Sequence, residues 1–292
     1  MAAGETANAG SAREARVVSG DGVVLQTRTV GPADAPDTLI AIHGGPGLSL
    51  EAMSAFESLA GPGRRVVSYD QRGAGRSTSP ADLDYRLEAQ VEDLEAIRNA
   101  LGAERVQLVG QSWGGAIAAA YAATYPQRVS ALVLVGAVPL DRAEYLAGQR
   151  RFQDRVAELQ QVGAIDDVIP PIDQGSCLDA FNAVLPAYLD DPTRRSPTTL
   201  TSCAADTSRA TYEAFVADES VEELAKNLAA FESPVLLLAG EHDVFGPDWL
   251  NRNRELLANA SIETKLIADA GHLVTAEQPK ETMSAVMAFL QN

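Results

Sequence analysis

One serine of this chain stands in a context that could make it a nucleophile. Ser112 is the centre of Gly110-Gln111-Ser112-Trp113-Gly114, which directly follows the apolar run Val106-Gln107-Leu108-Val109. A strand-like run, then Gly-x-Ser-x-Gly, then an alanine-rich helical pattern is typical of a nucleophile elbow, a tight turn that exposes the serine hydroxyl. Glycine is favoured on either side because a Cβ there would collide with a neighbouring strand or helix. Acyl transfer by Ser112 would also need a base and a carboxylate.

The base must come from three histidines. His272 directly follows the last strand-like run, so it should open at the same carboxyl edge of a parallel sheet as Ser112, which is where ligands bind. His43 follows an earlier strand but lies in a glycine-rich loop, and we expect its ring to hydrogen-bond that loop. His242 lies inside a loop that more plausibly supplies the acid. The sequence therefore favours His272 as the base.

The carboxylate that would hold the histidine tautomer has one leading candidate and two rivals. Asp243 follows an apolar strand-like run by a few residues and gives the chain order Ser, Asp, His. Asp269 lies three residues before His272, and Asp141 follows the preceding strand. We predict that Asp243 is the acid and keep the other two as alternatives.

Two loops border this predicted site. His43-Gly44-Gly45-Pro46-Gly47 follows the buried run Leu39–Ile42, and such a loop can bring backbone N–H groups to a developing oxyanion. The next strand is followed by Asp70, Arg72 and Arg76 in a second glycine-containing loop. That loop lacks the Gly-Lys-Ser/Thr ending of a phosphate-binding loop, so we expect an Asp70–arginine pair that holds it together.

Strand-like and helical patterns alternate around these residues, which predicts a mostly parallel, doubly wound sheet with helices on both faces. The predicted strands are Val17–Val18, Val23–Val30, Leu39–Ile42, Arg65–Tyr69, Val106–Val109, Val129–Val135, Pro234–Ala239 and Ile262–Ile267. The predicted helices are Glu51–Leu59, Leu87–Leu101, Ala116–Tyr125, Asp141–Val162, Leu178–Leu189, Val221–Phe231, Pro247–Ala258 and Glu277–Leu290.

The alternation is interrupted once, after the sixth predicted strand. Residues 140–231 contain helical patterns punctuated by prolines and glycines, with no strand-like run. We predict that this region is a helical lid inserted into one α/β domain. The predicted organisation is a disordered tail at 1–15, an α/β core at 16–139 and 232–292, and the lid at 140–231.

Composition narrows the classes of protein and partner. The 292 residues are 46% hydrophobic, which suffices for one sizeable domain with an insertion. A net charge of −17 argues against nucleic acid or an anionic membrane as a partner. No run approaches the roughly 20 apolar residues of a membrane span, and no signal-peptide pattern is present, so we expect a cytoplasmic protein. Cys177 and Cys203 lack metal-site spacing; a single bridge between them is possible, but we expect two unpaired thiols, no metal and no cofactor.

Five motifs, taken together, resemble the α/β-hydrolase superfamily over nearly the whole chain, and more narrowly the prolyl iminopeptidase group of serine peptidases. The motifs are His43-Gly44-Gly45-Pro46-Gly47, Asp70-Gln71-Arg72-Gly73-x-Gly75-Arg76-Ser77, Gly110-Gln111-Ser112-Trp113-Gly114-Gly115, Gly240-x-x-Asp243 and Gly271-His272. The resemblance implies an α/β-hydrolase fold, with Ser112 as nucleophile, His272 as base and Asp243 as its orienting acid. It also implies an oxyanion hole formed by the N–H groups of Gly45 and Trp113.

The expected substrate is a short peptide or small amino-acid amide. Relatives in this group grip a free amino terminus with acidic residues from the lid, and in some members with one just after the catalytic aspartate, where this chain has Val244. Gly44 and Glu213 are candidate substrate contacts. Other acids in the same part of the lid are Asp218, Glu219, Glu222 and Glu223.

Two alternatives to an aminopeptidase remain open. One is a carboxylic-ester, thioester or amide hydrolase for a small metabolite, and the other is a non-catalytic protein that uses the same pocket to bind a ligand. Epoxide and haloalkane chemistry is disfavoured, because such relatives carry an aspartate where this chain has Ser112.

Overall fold

One sheet organises the protein. The computed structural model describes residues 12–78, 82–173, 175, 177–194 and 200–291. Within those residues the strands are β1 (Arg13–Val18), β2 (Val24–Val30), β3 (Asp37–Ile42), β4 (Arg64–Tyr69), β5 (Val106–Gln111), β6 (Val129–Val135), β7 (Val235–Gly240) and β8 (Ile262–Ile267). They form a single sheet in the order β1-β2-β4-β3-β5-β6-β7-β8. The β1–β2 and β2–β4 pairs are antiparallel and all the others are parallel.

Helices cover both faces of this sheet. They are α1 (Leu87–Ala100), α2 (Trp113–Thr124), α3 (Arg142–Gln161), α4 (Cys177–Val184), α5 (Ala205–Ala217), α6 (Ser220–Leu228), α7 (Gly246–Leu256), α8 (Val274–Glu277) and α9 (Pro279–Leu290). Short 3-10 helices lie at Leu50–Leu59, Pro126–Arg128 and Leu185–Tyr188. None of the helices among the described residues combines the length and apolarity that a membrane span requires.

The central strands are buried on both faces, which explains their unbroken apolar character. Successive side chains of a strand point to opposite faces. Ile40 and Leu108 accordingly belong to one apolar cluster, with α1 and α2, while Leu39 and Val109 belong to the other, with α9. The predicted doubly wound, mostly parallel sheet is therefore confirmed. Because β3 and β5 to β8 run in parallel, the residues that follow each of them gather at one edge.

The boundaries of the predicted regions need three corrections. β1 begins at Arg13, so the end of the predicted tail is strand, and residues 1–11 lie outside the described residues. Helix α5 was not predicted, because its buried residues are spaced among polar ones and give a weak apolar stripe. Helix α6 packs on α2 and contributes Val221 and Leu228 to the main core cluster, so the end of the predicted lid belongs to the body of the domain.

The two cysteines are joined, and the expectation of unpaired thiols was wrong. Cys177, at the start of α4, forms a disulfide with Cys203, just before α5. Their Cα atoms are 5.7 Å apart, within the roughly 4.4–6.8 Å that a disulfide spans. The insertion brings together two segments 26 residues apart, a proximity that no local sequence pattern encodes.

Candidate active site

Ser112 occupies a sharp turn between β5 and α2. Its backbone has φ +51° and ψ −117°, a conformation that residues with a Cβ rarely adopt and that is found most often at functional sites. The Ser112 N–H donates to the Val135 carbonyl at 2.9 Å, and the Ser112 carbonyl accepts from Val138 N–H at 3.0 Å. The segment that follows β6 therefore holds the turn in place.

The glycines of the Ser112 motif are required by close backbone packing. A Cβ on Gly110 would overlap the Gly114 carbonyl, and a Cβ on Gly114 would overlap the Ile42 carbonyl of β3. Helix α2 can therefore start directly against the sheet, with its N-terminus beside the serine. The Trp113 N–H, at the first position of the helix, has no acceptor inside the helix, whereas the Gly115 N–H donates to the Ser112 carbonyl at 2.9 Å.

Asp243 and His272 form a buried hydrogen-bonded pair. His272 Nδ1 lies 2.9 Å from Asp243 Oδ2 and 3.1 Å from Oδ1, and the two side chains are only 3% and 4% exposed. Asp243 Oδ1 also accepts from the Phe245 N–H at 2.9 Å. Because a carboxylate only accepts, this pairing places the imidazole proton on Nδ1 and leaves Nε2 as a proton acceptor.

Gly136 connects the serine turn to this pair. It has φ +50°, and a Cβ there would lie 3.1 Å from Asp243 Oδ2 and from two ring atoms of His272. The residue before it, Val135, accepts the Ser112 N–H. The end of β6 therefore contacts the serine turn, and the residue directly after β6 contacts the Asp–His pair. Our sequence reasoning missed Gly136, although a glycine directly after an all-apolar strand was the available signal.

The glycine-rich loop after β3 lies against the serine. A Cβ added to Gly44 would be 2.9 Å from Ser112 Cβ and from the Gln111 carbonyl oxygen. Gly45 has φ +57°, and its carbonyl accepts from Leu48 N–H at 2.9 Å in a tight turn. The loop thus passes directly over the start of α2, which brings the two elements expected to supply oxyanion donors next to each other.

His43 is a wholly buried part of that loop. Its Nδ1 lies 2.9 Å from the Gly44 carbonyl, and its Nε2 accepts from the Gln71 N–H at 3.3 Å. Burial lowers the pKa of the His43 ring, although Asp70 and Glu51 oppose that effect. Both nitrogens of this neutral ring are occupied by backbone, as the sequence analysis expected.

The Asp70 loop is held mainly by backbone hydrogen bonds and only weakly by the expected pair of Asp70 with an arginine. Asp70 is buried, and its carboxylate accepts from the N–H groups of Leu50 at 2.8 Å and Arg76 at 2.9 Å. The Arg76 side chain approaches it only to 3.9 Å. The strong arginine pair in this loop is instead Arg72 with Asp93, where two N–H groups bind the carboxylate at 2.8 Å each. Asp93 comes from α1, so this pair was invisible to local reasoning.

Aromatic rings surround the pair and the start of α2. His272 is flanked by Phe245 at 4.6 Å and Tyr188 at 5.6 Å between ring centroids. Trp113 packs edge-on against Tyr212 at 5.7 Å and Phe215 at 5.3 Å. Burial raises the pKa of the Tyr188 and Tyr212 hydroxyls, which therefore remain protonated. No spacing rule could have assigned these rings to the site, because they come from four separate segments.

The acidic candidates of the insertion are directed elsewhere. Glu213 is exposed on α5, whose buried side carries Thr211 and Phe215. Glu222 pairs with Arg142 at 2.5 Å, and Glu223 lies 3.5 Å from its own helical neighbour Lys226. The structure therefore does not bring Glu213 to Ser112.

The rivals for the base and acid also have other partners. His242 is more than half exposed and pairs with Asp190 at 2.6 Å. Asp141 caps α3 by accepting from Glu144 N–H at 3.0 Å and binds Arg252 at 2.7 Å. Asp269 is exposed, with φ +50°. Over the described ranges, no group of three His, Cys, Asp or Glu side chains is arranged to hold a metal ion.

Comparison with known proteins agrees with this architecture. A family model described as the alpha/beta hydrolase fold matches residues 37–279. The chain therefore belongs to the α/β-hydrolase family.

Within that family it is similar to proline iminopeptidases. The Xylella fastidiosa proline iminopeptidase is 32% identical over 228 residues, which cover 76% of this chain and 70% of that protein. The proline iminopeptidase of Lactobacillus helveticus is 40% identical over 111 residues, so this chain matches only 38% of the length of that relative. A Burkholderia cenocepacia crystal structure described as a candidate aryl esterase superposes with a TM-score of 0.67 at 25% identity, covering 96% of this chain and 98% of the other.

Proposed function

We propose that this protein is a serine hydrolase in which Ser112, His272 and Asp243 form the catalytic triad. One observation carries the proposal: Val135, the last residue of β6, accepts a hydrogen bond from the strained Ser112 turn, and the next residue, Gly136, lies against the buried Asp243–His272 pair. A serine in this backbone conformation, at the same sheet edge as an oriented imidazole, supports nucleophilic catalysis.

The reaction follows from these placements. Ser112 Oγ attacks the substrate carbonyl carbon while His272 Nε2 takes the hydroxyl proton, and the carbonyl oxygen becomes an oxyanion held by the N–H groups of Gly45 and Trp113. Asp243 keeps His272 oriented and stabilises its charged form. His272 then donates its proton to the leaving group, and an acyl-enzyme remains on Ser112. Water, deprotonated by His272, releases the acid and restores the serine.

We propose an aminopeptidase of the proline iminopeptidase type, acting on short peptides or amino-acid amides. Support comes from the two relatives named above, which are both proline iminopeptidases. The aromatic rings of Tyr188, Tyr212 and Phe245 fit a compact apolar residue at the cleaved bond. Gly44, beside the serine, would line the same place.

A second candidate is hydrolysis of a small carboxylic ester, thioester or amide. The specific observation in its favour is the missing amine-binding acid: Glu213 faces solvent and Val244 follows Asp243. The aromatic rings near His272 and Trp113 suit a neutral acyl group as well as they suit proline.

Two experiments separate these functions. Fluorophosphonate should label the purified protein, and Ser112→Ala should abolish the labelling. Absence of labelling in the unmodified protein would favour a non-catalytic binding protein. Turnover of L-proline and L-alanine p-nitroanilide should then be compared with that of p-nitrophenyl acetate and butyrate. Efficient ester cleavage without arylamide cleavage would replace the aminopeptidase by the esterase.

A further inference from the structure

One segment of the insertion is fastened to both loops that carry the Asp–His pair. The segment Tyr188–Asp190 accepts the His272 N–H on the Tyr188 carbonyl at 2.7 Å. The Asp190 carboxylate pairs at 2.6 Å with His242, which directly precedes Asp243. A Cβ on Gly271 would lie 2.5 Å from the Tyr188 carbonyl oxygen and 2.8 Å from the Asp190 nitrogen, so the segment packs on backbone there.

Glu277, at the end of α8, links the segment Tyr188–Asp190 to the loop that carries His272. It is only 2% exposed, although no cation is paired with it at salt-bridge distance among the described residues. Its Oε1 accepts from the Asp190 N–H at 2.8 Å, and its Oε2 accepts from the Gly271 N–H at 2.8 Å. One buried carboxylate therefore joins the residue before His272 to the insertion.

The chemistry of these bonds calls for an ionised acid. Both partners are N–H donors, and a carboxylate offers each of them its own oxygen acceptor, whereas a glutamine amide would offer one oxygen and one NH2 group, which donates. The pKa of Glu277 lies above its ordinary value, chiefly because the side chain is buried, while the bonds from the Asp190 and Gly271 N–H groups act to lower it. Burying a carboxylate is costly unless it is hydrogen-bonded, and here its two bonds fix one loop relative to another.

We propose that Glu277 is a positioning residue. By accepting hydrogen bonds from the Gly271 and Asp190 N–H groups, it fixes the position of the His272 imidazole. The catalytic geometry then depends on the segment Tyr188–Asp190 being packed against the His272 loop. This role rests on the proposed serine-hydrolase function. Glu277 touches neither the substrate nor the reacting atoms, so its effect should fall on the chemical step and not on substrate binding.

The test is Glu277→Gln, which keeps the shape but turns one acceptor into a donor that faces an N–H group. The matched control is Glu281→Gln, the same change on α9, where Glu281 is exposed and pairs with Lys265 at 2.9 Å. We expect the rate of fluorophosphonate labelling and kcat to fall by about 10- to 100-fold, as for a displaced catalytic group. KM should stay within about twofold, and the control should match the unmodified protein.

The outcomes separate this role from the proposed function. If the unmodified protein labels and Glu277→Gln labels at the control rate, the positioning role is overturned alone. A loss that appears only in KM also overturns it. If the unmodified protein does not label, the proposed function fails and takes this role with it. If Glu277→Gln does not fold, Glu277→Asp decides, because it keeps a carboxylate but shortens its reach by one methylene: slower labelling than in the control supports the role, and an unchanged rate overturns it.

Discussion

The loops after β3 and β8 each place a histidine at the same edge of the sheet, yet they hold it in opposite ways. His43 is fully buried and His272 is 3% exposed, so burial does not distinguish them. His43 has backbone partners on both ring nitrogens, the Gly44 carbonyl and the Gln71 N–H. In His272 the Nδ1 atom is bonded to the Asp243 carboxylate, and the other ring nitrogen, Nε2, is not part of that bond.

The difference teaches that the partners of a ring, and not its place in the fold, decide its chemistry. A histidine with both nitrogens bonded to backbone has no site from which to exchange a proton, so His43 can only shape the glycine-rich loop. The carboxylate partner of His272 fixes one tautomer and stabilises the charged ring that forms when the other nitrogen takes a proton.

The largest expected effect on kcat comes from replacing the two histidines with side chains that do not titrate. His272→Ala should lower kcat by roughly 10⁴- to 10⁶-fold, because it removes the base of the proposed triad. His43→Gln should lower kcat by at most about 100-fold, because it can act only through the placement of the loop. The measurement is steady-state turnover of the best substrate from the panel above, with circular dichroism to show that both variants fold. Equal losses in the two variants would contradict the comparison.

Much of this contrast could be predicted from local sequence. Strand ends are marked by apolar runs that stop at glycine or a charged residue, and in a parallel sheet all such ends meet at one edge. That rule predicted that Ser112, Asp243 and His272 lie at one edge of the sheet, and the structure pairs Asp243 with His272. The three glycines after His43 marked it as part of a backbone turn. Each of these inferences depends on neighbours within a few residues.

The features that could not be predicted depend on contacts between distant segments. Glu277 gains its two N–H partners from Gly271 and from Asp190, 87 residues away. Three other features also depend on contacts between segments distant in the sequence: the Cys177–Cys203 bond, the Arg72–Asp93 pair and the packing of α6 on α2. Local periodicity carries no information on such pairings, and the insertion, which is built mostly from them, was therefore the part least well predicted.

The carboxylate partner provides a second way to test the comparison. Asp243→Asn should lower kcat by roughly 10⁴-fold, because an amide next to Nδ1 favours the wrong tautomer of His272. The matched control is Asp269→Asn, which removes the same charge three residues from His272 at an exposed position where asparagine tolerates the positive φ. We expect the control to keep its activity within about twofold. A large loss in Asp269→Asn with little loss in Asp243→Asn would move the acid to the other loop.

The smallest expected effect is on stability and concerns His43. Burial lowers the pKa of this ring in the folded protein, whereas in the unfolded chain a histidine titrates near about 6.5. Below that pH the unfolded chain binds a proton that the folded protein does not, so acid favours unfolding, by up to about 1.4 kcal/mol per pH unit. His43→Gln should lose about 1–3 kcal/mol of stability at pH 7 through its altered hydrogen bonds, yet its stability should fall less steeply between pH 6.5 and 5.

Urea unfolding at pH 5, 6 and 7 measures this slope, and Gln71→Ala is its control. That variant loses the 2.7 Å bond from Gln71 Nε2 to the His43 carbonyl and the 3.3 Å contact of the same nitrogen with His43 Nδ1, but it keeps the imidazole and the Gln71 backbone N–H that donates to Nε2. It should therefore be less stable than the unmodified protein at every pH while retaining the full acid slope. If His43→Gln and Gln71→Ala show the same slope, the ring is not held neutral by burial. His43 would then be free to exchange a proton, and the contrast with His272 would be lost.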